Sequence, residues 1–277
     1  MATIKFTDGD DPRNIREVKM LHAIVVGIDR YRDQRINPLS YARADAEAFA
    51  QLLTESIDIQ DRSVNLLLDE EATKRNILVA IGEKLPRVAG PKDLILLYFA
   101  CHGSPETEGS PDEVSRYIVV HDTEYSSIYA TGIDMERELV RWYSRIAESK
   151  LVLLFIDSCF SGRAGGRTFE GPRLKQISPR LRRMPQVRLK TLELGEGRLM
   201  ISACDDDQVA REDPELGHGI FTYHLLNVLK QQESDEPTIS LNVAYDEILR
   251  RVSQHTGGQQ TPVISGRSRG ARFPLLV

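Results

Sequence analysis

Two uninterrupted apolar runs, each ending in a short turn that carries a reactive side chain, constrain this chain more than any other feature. Leu94–Phe99 leads into Ala100-Cys101-His102-Gly103, and Leu151–Ile156 leads into Asp157-Ser158-Cys159-Phe160-Ser161-Gly162. A strand that is apolar at every position is buried on both faces, as the central strands of a parallel sheet are. In such sheets the ligand crevice lies at the carboxyl ends of the strands. A fold that pairs these two strands brings an imidazole and a thiol to that crevice. A thiol attacks a carbonyl only as thiolate. A histidine close by takes its proton and returns one to the leaving amine. Gly103 has no Cβ, so its N–H can approach a substrate oxygen closely; with the Cys159 N–H it would form an oxyanion hole. The arrangement points to peptide or acyl chemistry with His102 and Cys159 as the reacting pair.

The rest of the chain alternates strand and helix. His22–Ile28, Val64–Leu68, Asp93–Ala100, Tyr117–His121, Lys150–Asp157, Arg198–Cys204 and Arg272–Val277 read as strands. Tyr41–Leu53 carries Ala42, Ala46, Phe49, Ala50 and Leu53 at helical spacing, with Ser40 as its N-cap. Further helices are expected from Thr73 to Leu85, closed by Pro86, and over Met135–Ile146, His218–Lys230 and Leu241–Gln254. Strands separated by helices imply mostly parallel pairing with helices on both faces. The alternation breaks between Arg163 and Lys190, where nine Arg/Lys stand with one acid, Glu170, among three Pro and three Gly. This stretch reads as an exposed linker, where proteolysis concentrates. Four parts follow: an N-terminal extension (1–20), a part carrying the His/Cys pair (21–162), the basic linker (163–197) and a closing part of the same domain (198–277).

Composition excludes several alternatives. A formal charge of −5 on 277 residues implies neither nucleic-acid nor membrane binding. The linker holds a single aromatic, Phe169, too few for base stacking. Cys101, Cys159 and Cys204 have spacings that suit neither a disulfide framework nor a zinc site, and Cys101 and Cys204 read as structural. Met1–Lys19 is polar and lacks the apolar core of a signal peptide, and no run reaches the length of a membrane span. A cytoplasmic, reducing setting is expected, as a nucleophilic thiol requires.

The motifs resemble those of the caspase–metacaspase family of cysteine peptidases. YFACHG resembles its histidine motif. FIDSCFSG resembles its cysteine motif, closest to the Asp-x-Cys-x-Ser-Gly of metacaspases and their prokaryotic relatives, with Phe160 where many metacaspases have histidine. AIVVGIDRY, LSYARADAEAF, ISACDDDQVARE and GHGIFTYHLL extend the resemblance from Leu21 to Val277. It implies an α/β caspase-like fold with a mainly parallel six-stranded sheet and helices on both faces. It implies Cys159 as nucleophile, His102 as general acid and base, and the N–H groups of Gly103 and Cys159 as oxyanion hole. It places Asp45 and Asp157 in an S1 pocket that selects Arg over Lys in protein substrates, with Asp205, Asp206 and Asp207 as further acids near the cleft. A carboxylate pair suits a guanidinium through charge-assisted bonds. Autocleavage in the linker is implied, with Arg163, Arg167, Arg173, Arg180, Arg182, Arg183 and Arg188 as candidate positions. So is control by an activating or inhibitory protein partner, in settings such as prokaryotic cell death or anti-phage defence. Only Asp134 falls on a position of the family's calcium site, so no metal or other cofactor is expected. A catalytically silent caspase-like scaffold and a CHAT-type cysteine enzyme are the alternative readings.

Overall fold

The computed structural model describes residues 18–55, 61–107, 114–146, 149, 151–160, 167, 197–205, 208–230, 238–267 and 272–274. The first strands are β1 (Met20–Gly27), β2 (Asp61–Leu68) and β3 (Leu94–Ala100). A small antiparallel sheet follows, of β4 (Gly103–Thr107), β5 (Val114–Ile118) and β6 (Ile133–Asp134). Next come β7 (Leu151–Asp157), β8 (Arg198–Ser202), the two-residue pair β9 (Glu212–Asp213) and β10 (His218–Gly219), β11 (Thr238–Ser240), β12 (Val263–Arg267) and β13 (Arg272–Pro274). The central sheet has six strands in the order β12-β8-β7-β3-β1-β2. All its pairs are parallel except β12 with β8.

Alternate residues of the buried strands feed two cores. Leu94, Leu96 and Tyr98 of β3 and Leu151, Leu153 and Phe155 of β7 pack under the helices α1 (Ala42–Glu55), α6 (Ile220–Lys230) and α7 (Leu241–His255). Ile95, Leu97 and Phe99, with Val152, Leu154 and Ile156, face the opposite side. There they meet α2 (Lys74–Val79), α3 (Leu85–Val88), the short α4 (Ile128–Thr131) and α5 (Met135–Arg145). The period of two along a strand thus determines which helices can reach which strand-end side chain. Ala100 and Asp157 point to the α1/α6 side, and this builds the site described below.

Three local expectations change. Pro86 does not close its helix: a π-helical turn at Ala80–Lys84 joins α2 to α3, and Pro86 lies at the start of α3. Proline cannot donate to the carbonyl four residues before it; that carbonyl, Gly82, takes a hydrogen bond from Arg145 Nη1 at 2.7 Å instead. Ser40 is replaced as cap by a tertiary acceptor. Asp29, just past β1, accepts the N–H groups of Ala42 and Arg43 at 2.8 and 3.2 Å. The sixth strand is Val263–Arg267. Within the expected terminal strand, residues 272–274 pair with β11 in a separate ribbon, and 275–277 lie outside the described residues.

Candidate active site

β3 and β7 are neighbours, and their register pairs Ala100 with Asp157. His102 and Cys159 each lie two residues past that pair, so the register alone brings them to the same height on adjacent strands. The turns that carry them are packed tightly. A Cβ on Gly103 would overlap the Cys159 carbonyl oxygen and stand 2.8 Å from the Phe160 ring. Any larger residue there would push the two strand ends apart.

Tyr31 and Asn37, both beyond β1, hold His102. Its N–H donates to the Tyr31 hydroxyl oxygen at 2.9 Å, and the two rings stack with centroids 5.3 Å apart. Nε2 is 2.8 Å from the Asn37 carbonyl oxygen. A carbonyl only accepts, so Nε2 carries the proton, and in the neutral ring Nδ1 is the basic nitrogen. Burial pulls the imidazole below its ordinary value, against the opposing pull of the Asn37 and Arg167 main-chain carbonyls. The ring is therefore neutral at pH 7, the form that accepts a proton.

Cys159 is buried, and its thiol donates to the Gln208 carbonyl. Cys204 Sγ lies 3.5 Å from Cys159 Sγ. The hydrogen bond to Cys159, followed by burial, holds the Cys204 thiol well above its ordinary value. Cys204 is thus in contact with the candidate nucleophile as well as with the core. Cys101 faces the other core, where burial pushes its thiol up to about 12 and Ser158 bonds it at 3.3 Å. All three cysteines are free.

The basic stretch reads as exposed in sequence, yet Arg167 has no exposed surface. Its carbonyl oxygen accepts the N–H of Gly103 at 3.1 Å and of Cys159 at 3.3 Å. Its own N–H donates to the Ala210 carbonyl at 2.9 Å. The guanidinium runs into a pocket of carboxylates: Nη1 lies 2.9 Å from Asp157 Oδ2, and Nη2 meets Asp45 Oδ2 and, at 3.3 Å, Glu212 Oε1. Burial alone would pull this guanidinium down; Asp157, Asp45 and Glu212 more than reverse that and hold it well above its ordinary value.

Each wall of the pocket has its own support. Asp45, in the first turn of α1, accepts the Gly219 N–H at 3.0 Å through Oδ2 and pairs with His218 Nδ1 at 2.6 Å. Asp157 accepts the Thr222 hydroxyl of α6 at 2.6 Å. Thr222 has spent its proton there, so Tyr98, 2.6 Å away, donates to Thr222. Burial pushes the Asp157 carboxyl up to about 6; Asp45 adds to the rise, while Arg167 and Thr222 oppose it. Glu212 also accepts the N–H groups of Ser40 and Tyr41, both at 3.0 Å. A Cβ on Gly219 would lie 2.7 to 2.8 Å from Arg167 Nη2, Asp157 Oδ2 and Asp45 Oδ2, so glycine keeps the pocket open.

The structure therefore gathers His102, Gly103, Cys159, Asp45 and Asp157 around one arginine. Asp205 ends a described segment, and Asp206 and Asp207 lie outside the described residues, as do Arg163, Arg173, Arg180, Arg182, Arg183 and Arg188. Asp134 caps α5 by accepting the Arg137 N–H at 3.1 Å. Among the described residues no group of three or more His, Cys, Asp or Glu is arranged to hold a metal ion, and no helix is long and apolar enough to cross a membrane. Sequence reasoning missed Glu212, His218, Gly219, Tyr31 and the Asn37 and Ala210 carbonyls. The first three lie in or between the stretches DDDQVARE and GHGIF, where only the resemblance marked them out.

The caspase domain profile matches residues 20–274, and the chain belongs to the caspase family, a family of cysteine peptidases. Two solved structures share the fold. A Geobacter sulfurreducens protein is 22% identical with a TM-score of 0.66, covering 90% of this chain and 94% of its own. Caspase-1 from Spodoptera frugiperda is 14% identical with a TM-score of 0.61, covering 98% and 96%. A search of curated protein sequences finds no match.

Proposed function

We propose that this protein is a metacaspase-type cysteine endopeptidase that cuts protein substrates after arginine, with lysine second. The observation that carries this reading is the environment of Arg167, a guanidinium enclosed by three carboxylates while the carbonyl of the same residue takes two main-chain N–H groups beside Cys159. An ammonium is a point charge and cannot meet three carboxylates through a planar fork, which ranks lysine below arginine. An aspartate side chain would bring a fourth negative charge into the pocket.

In this reading His102 takes the Cys159 proton and the thiolate adds to the substrate carbonyl. The N–H groups of Gly103 and Cys159 receive the charge that develops on its oxygen; loss of one such donor typically costs about 10²–10³ in rate. Collapse expels the amine, which takes its proton from His102, and water hydrolyses the thioester. Three free thiols suit a reducing compartment such as the cytoplasm. The test is release of fluorophore from Arg-, Lys- and Asp-terminated peptides by the wild type and by Cys159→Ala. Arg release by the wild type alone is expected. Silence on every peptide would return the protein to the scaffold class, and Asp release would overturn the pocket assignment.

A further inference from the structure

We propose that His224 and His255 bind a divalent transition-metal ion such as zinc, with Asp213 orienting His255 for it, and that the ion ties α6, α7 and β9 together. The proposal uses residues outside the endopeptidase reading and is tested apart from it.

The two histidines are 31 residues apart and show no metal-binding spacing in sequence; the packing of α6 on α7 brings them together. His224 lies two residues past Thr222, the hydroxyl that supports Asp157. Two residues along a helix are about 200° apart, so His224 leaves α6 on another face and meets the last turn of α7. Its Nε2 is 3.1 Å from His255 Nδ1, with the rings edge to face at 75°. On the other side of the His255 ring, Nε2 is 3.1 Å from Asp213 Oδ2. A carboxylate only accepts, so His255 carries its proton on Nε2 and turns the Nδ1 lone pair towards His224. Asp213 is held in turn, since its Oδ1 accepts the Glu215 N–H at 2.9 Å. Histidines that bind metals almost always place their second nitrogen on a carboxylate, a carbonyl or water, which fixes the tautomer and makes the ligand more basic. Asp213 and His255 have that arrangement.

The donor atoms select the ion. Imidazole nitrogens suit zinc, copper and nickel, whereas magnesium and calcium take oxygen ligands. Two nitrogens on a tetrahedral zinc, each about 2.0–2.1 Å from it, stand about 3.3 Å apart. The facing nitrogens here are 3.1 Å apart, so they need to part by only about 0.2 Å, with each ring turned towards a common point beside the line that joins them. His224 gives up its Nε2 proton and takes one on Nδ1, so the pair loses no proton overall. Two waters of the ion leave as the nitrogens bind. Both histidines are open to solvent in part, so water fills the remaining positions. With two protein ligands the site binds more weakly than the closed four-ligand sites that hold structural zinc.

The experiment titrates zinc chloride by calorimetry into the Cys159→Ala protein, which removes one competing thiol, and into the same protein with His224→Ala, His255→Ala or Asp213→Asn added. Melting temperatures are measured at each zinc concentration. The parent is expected to bind one zinc that both histidine variants lose, and its melting temperature rises with zinc while theirs does not. Asp213→Asn keeps both ligands and weakens binding by about tenfold. Copper binds more tightly than zinc, and magnesium and calcium neither bind there nor displace it. X-ray absorption of the zinc-loaded parent gives a reading that needs no further variant: imidazole nitrogen and water oxygen around the ion, and no sulfur. Sulfur in that shell, or zinc affinity unchanged in both histidine variants, overturns the site. Affinity unchanged in Asp213→Asn removes the orienting role. Because the parent lacks the Cys159 thiol, none of these results bears on the endopeptidase reading.

Discussion

Two arginines are buried at opposite ends of the central sheet, and their partners differ in kind. Arg198 opens β8 beside the amino end of β7; its guanidinium donates to the carbonyls of Ile146, Gly197 and Ser149 at 3.0 to 3.2 Å. Arg167 sits past the carboxyl end of β7 among Asp45, Asp157 and Glu212. Burial pulls the Arg198 guanidinium below its ordinary value, whereas carboxylates hold that of Arg167 well above. Carbonyl dipoles left without a donor are an ordinary buried polar cost, so the first arrangement works as a fixed structural pin. Buried carboxylates left without a cation repel one another, so in the endopeptidase reading proposed above the second serves as a receptor for a cation, whichever chain supplies it. Full burial of an arginine therefore does not by itself mark a structural residue; the charge of its partners separates the two cases.

The comparison can be broken most severely at the receptor. Asp45→Asn removes one buried charge; breaking a buried ion pair costs roughly 3–5 kcal/mol. Measured in the Arg167→Ala background, where the chain's own guanidinium no longer pairs with Asp45, the expected fall in kcat/KM for Arg peptides is about a hundred- to several-thousand-fold, with the melting temperature lowered little. A loss of folding in place of specificity would make Asp45 a structural acid.

Arg198→Met should do the reverse. The Ser149 carbonyl loses a donor at about 1–3 kcal/mol, while the Gly197 and Ile146 carbonyls keep the N–H groups of Val152 and Ser149. Denaturant titration should show about 2 kcal/mol of lost stability, while the folded fraction keeps kcat/KM within about twofold. A changed Arg-to-Lys preference would contradict the division of roles.

Acid should uncouple affinity from stability. With its carboxyl pushed up to about 6, Asp157 loses its charge as pH falls from 7 to 5. In the doubly substituted Cys159→Ala, Arg167→Ala protein the guanidinium that opposes this rise is gone, so the Asp157 carboxyl stands higher still, and agmatine binding should weaken by about tenfold as pH falls from 8 towards 6. The contribution of Asp157 to stability runs the other way. Its folded value lies above the unfolded one, so that contribution is fully present below about pH 4 and is lost as pH rises through 6. Parallel loss of binding and of stability on acidification would contradict this.

The smallest effect is expected at Glu212. It is partly exposed, lies 3.3 Å from Nη2 and spends both oxygens on the N–H groups of Ser40 and Tyr41. Glu212→Gln should lower kcat/KM for Arg peptides by about three- to fivefold. A loss as large as that of Asp45→Asn would make Glu212 an equal partner.

The strands that carry His102 and Cys159 were legible because burial on both faces leaves an unbroken apolar run. The edge strand Val263–Arg267 was not. It reads Val-Ile-Ser-Gly-Arg, needs only one apolar face, and places Gly266 at φ 101°. The more apolar C-terminal residues drew the assignment away from it. The cap of α1 followed the same logic: a local rule favours Ser40, but Asp29, thirteen residues before Ala42, is the better-placed acceptor. Within the candidate site, Asp45 and Asp157 could be placed through their motifs. Gly219 touches Asp45 across 174 residues of sequence, and the Asn37 and Ala210 carbonyls have no side-chain signature at all.

The pairing of Ala100 with Asp157 sets how freely this architecture can vary. The chain between the two strands crosses over through the small sheet β4–β6 and through α4 and α5, so insertions there would lengthen the loop without moving either strand end. A slip of one residue between β3 and β7 would instead move one turn by about 3.3 Å and exchange the faces of its side chains. Related chains should therefore tolerate wide differences in the distance between histidine and cysteine along the sequence, and almost none in the alignment of the two strands that end in them.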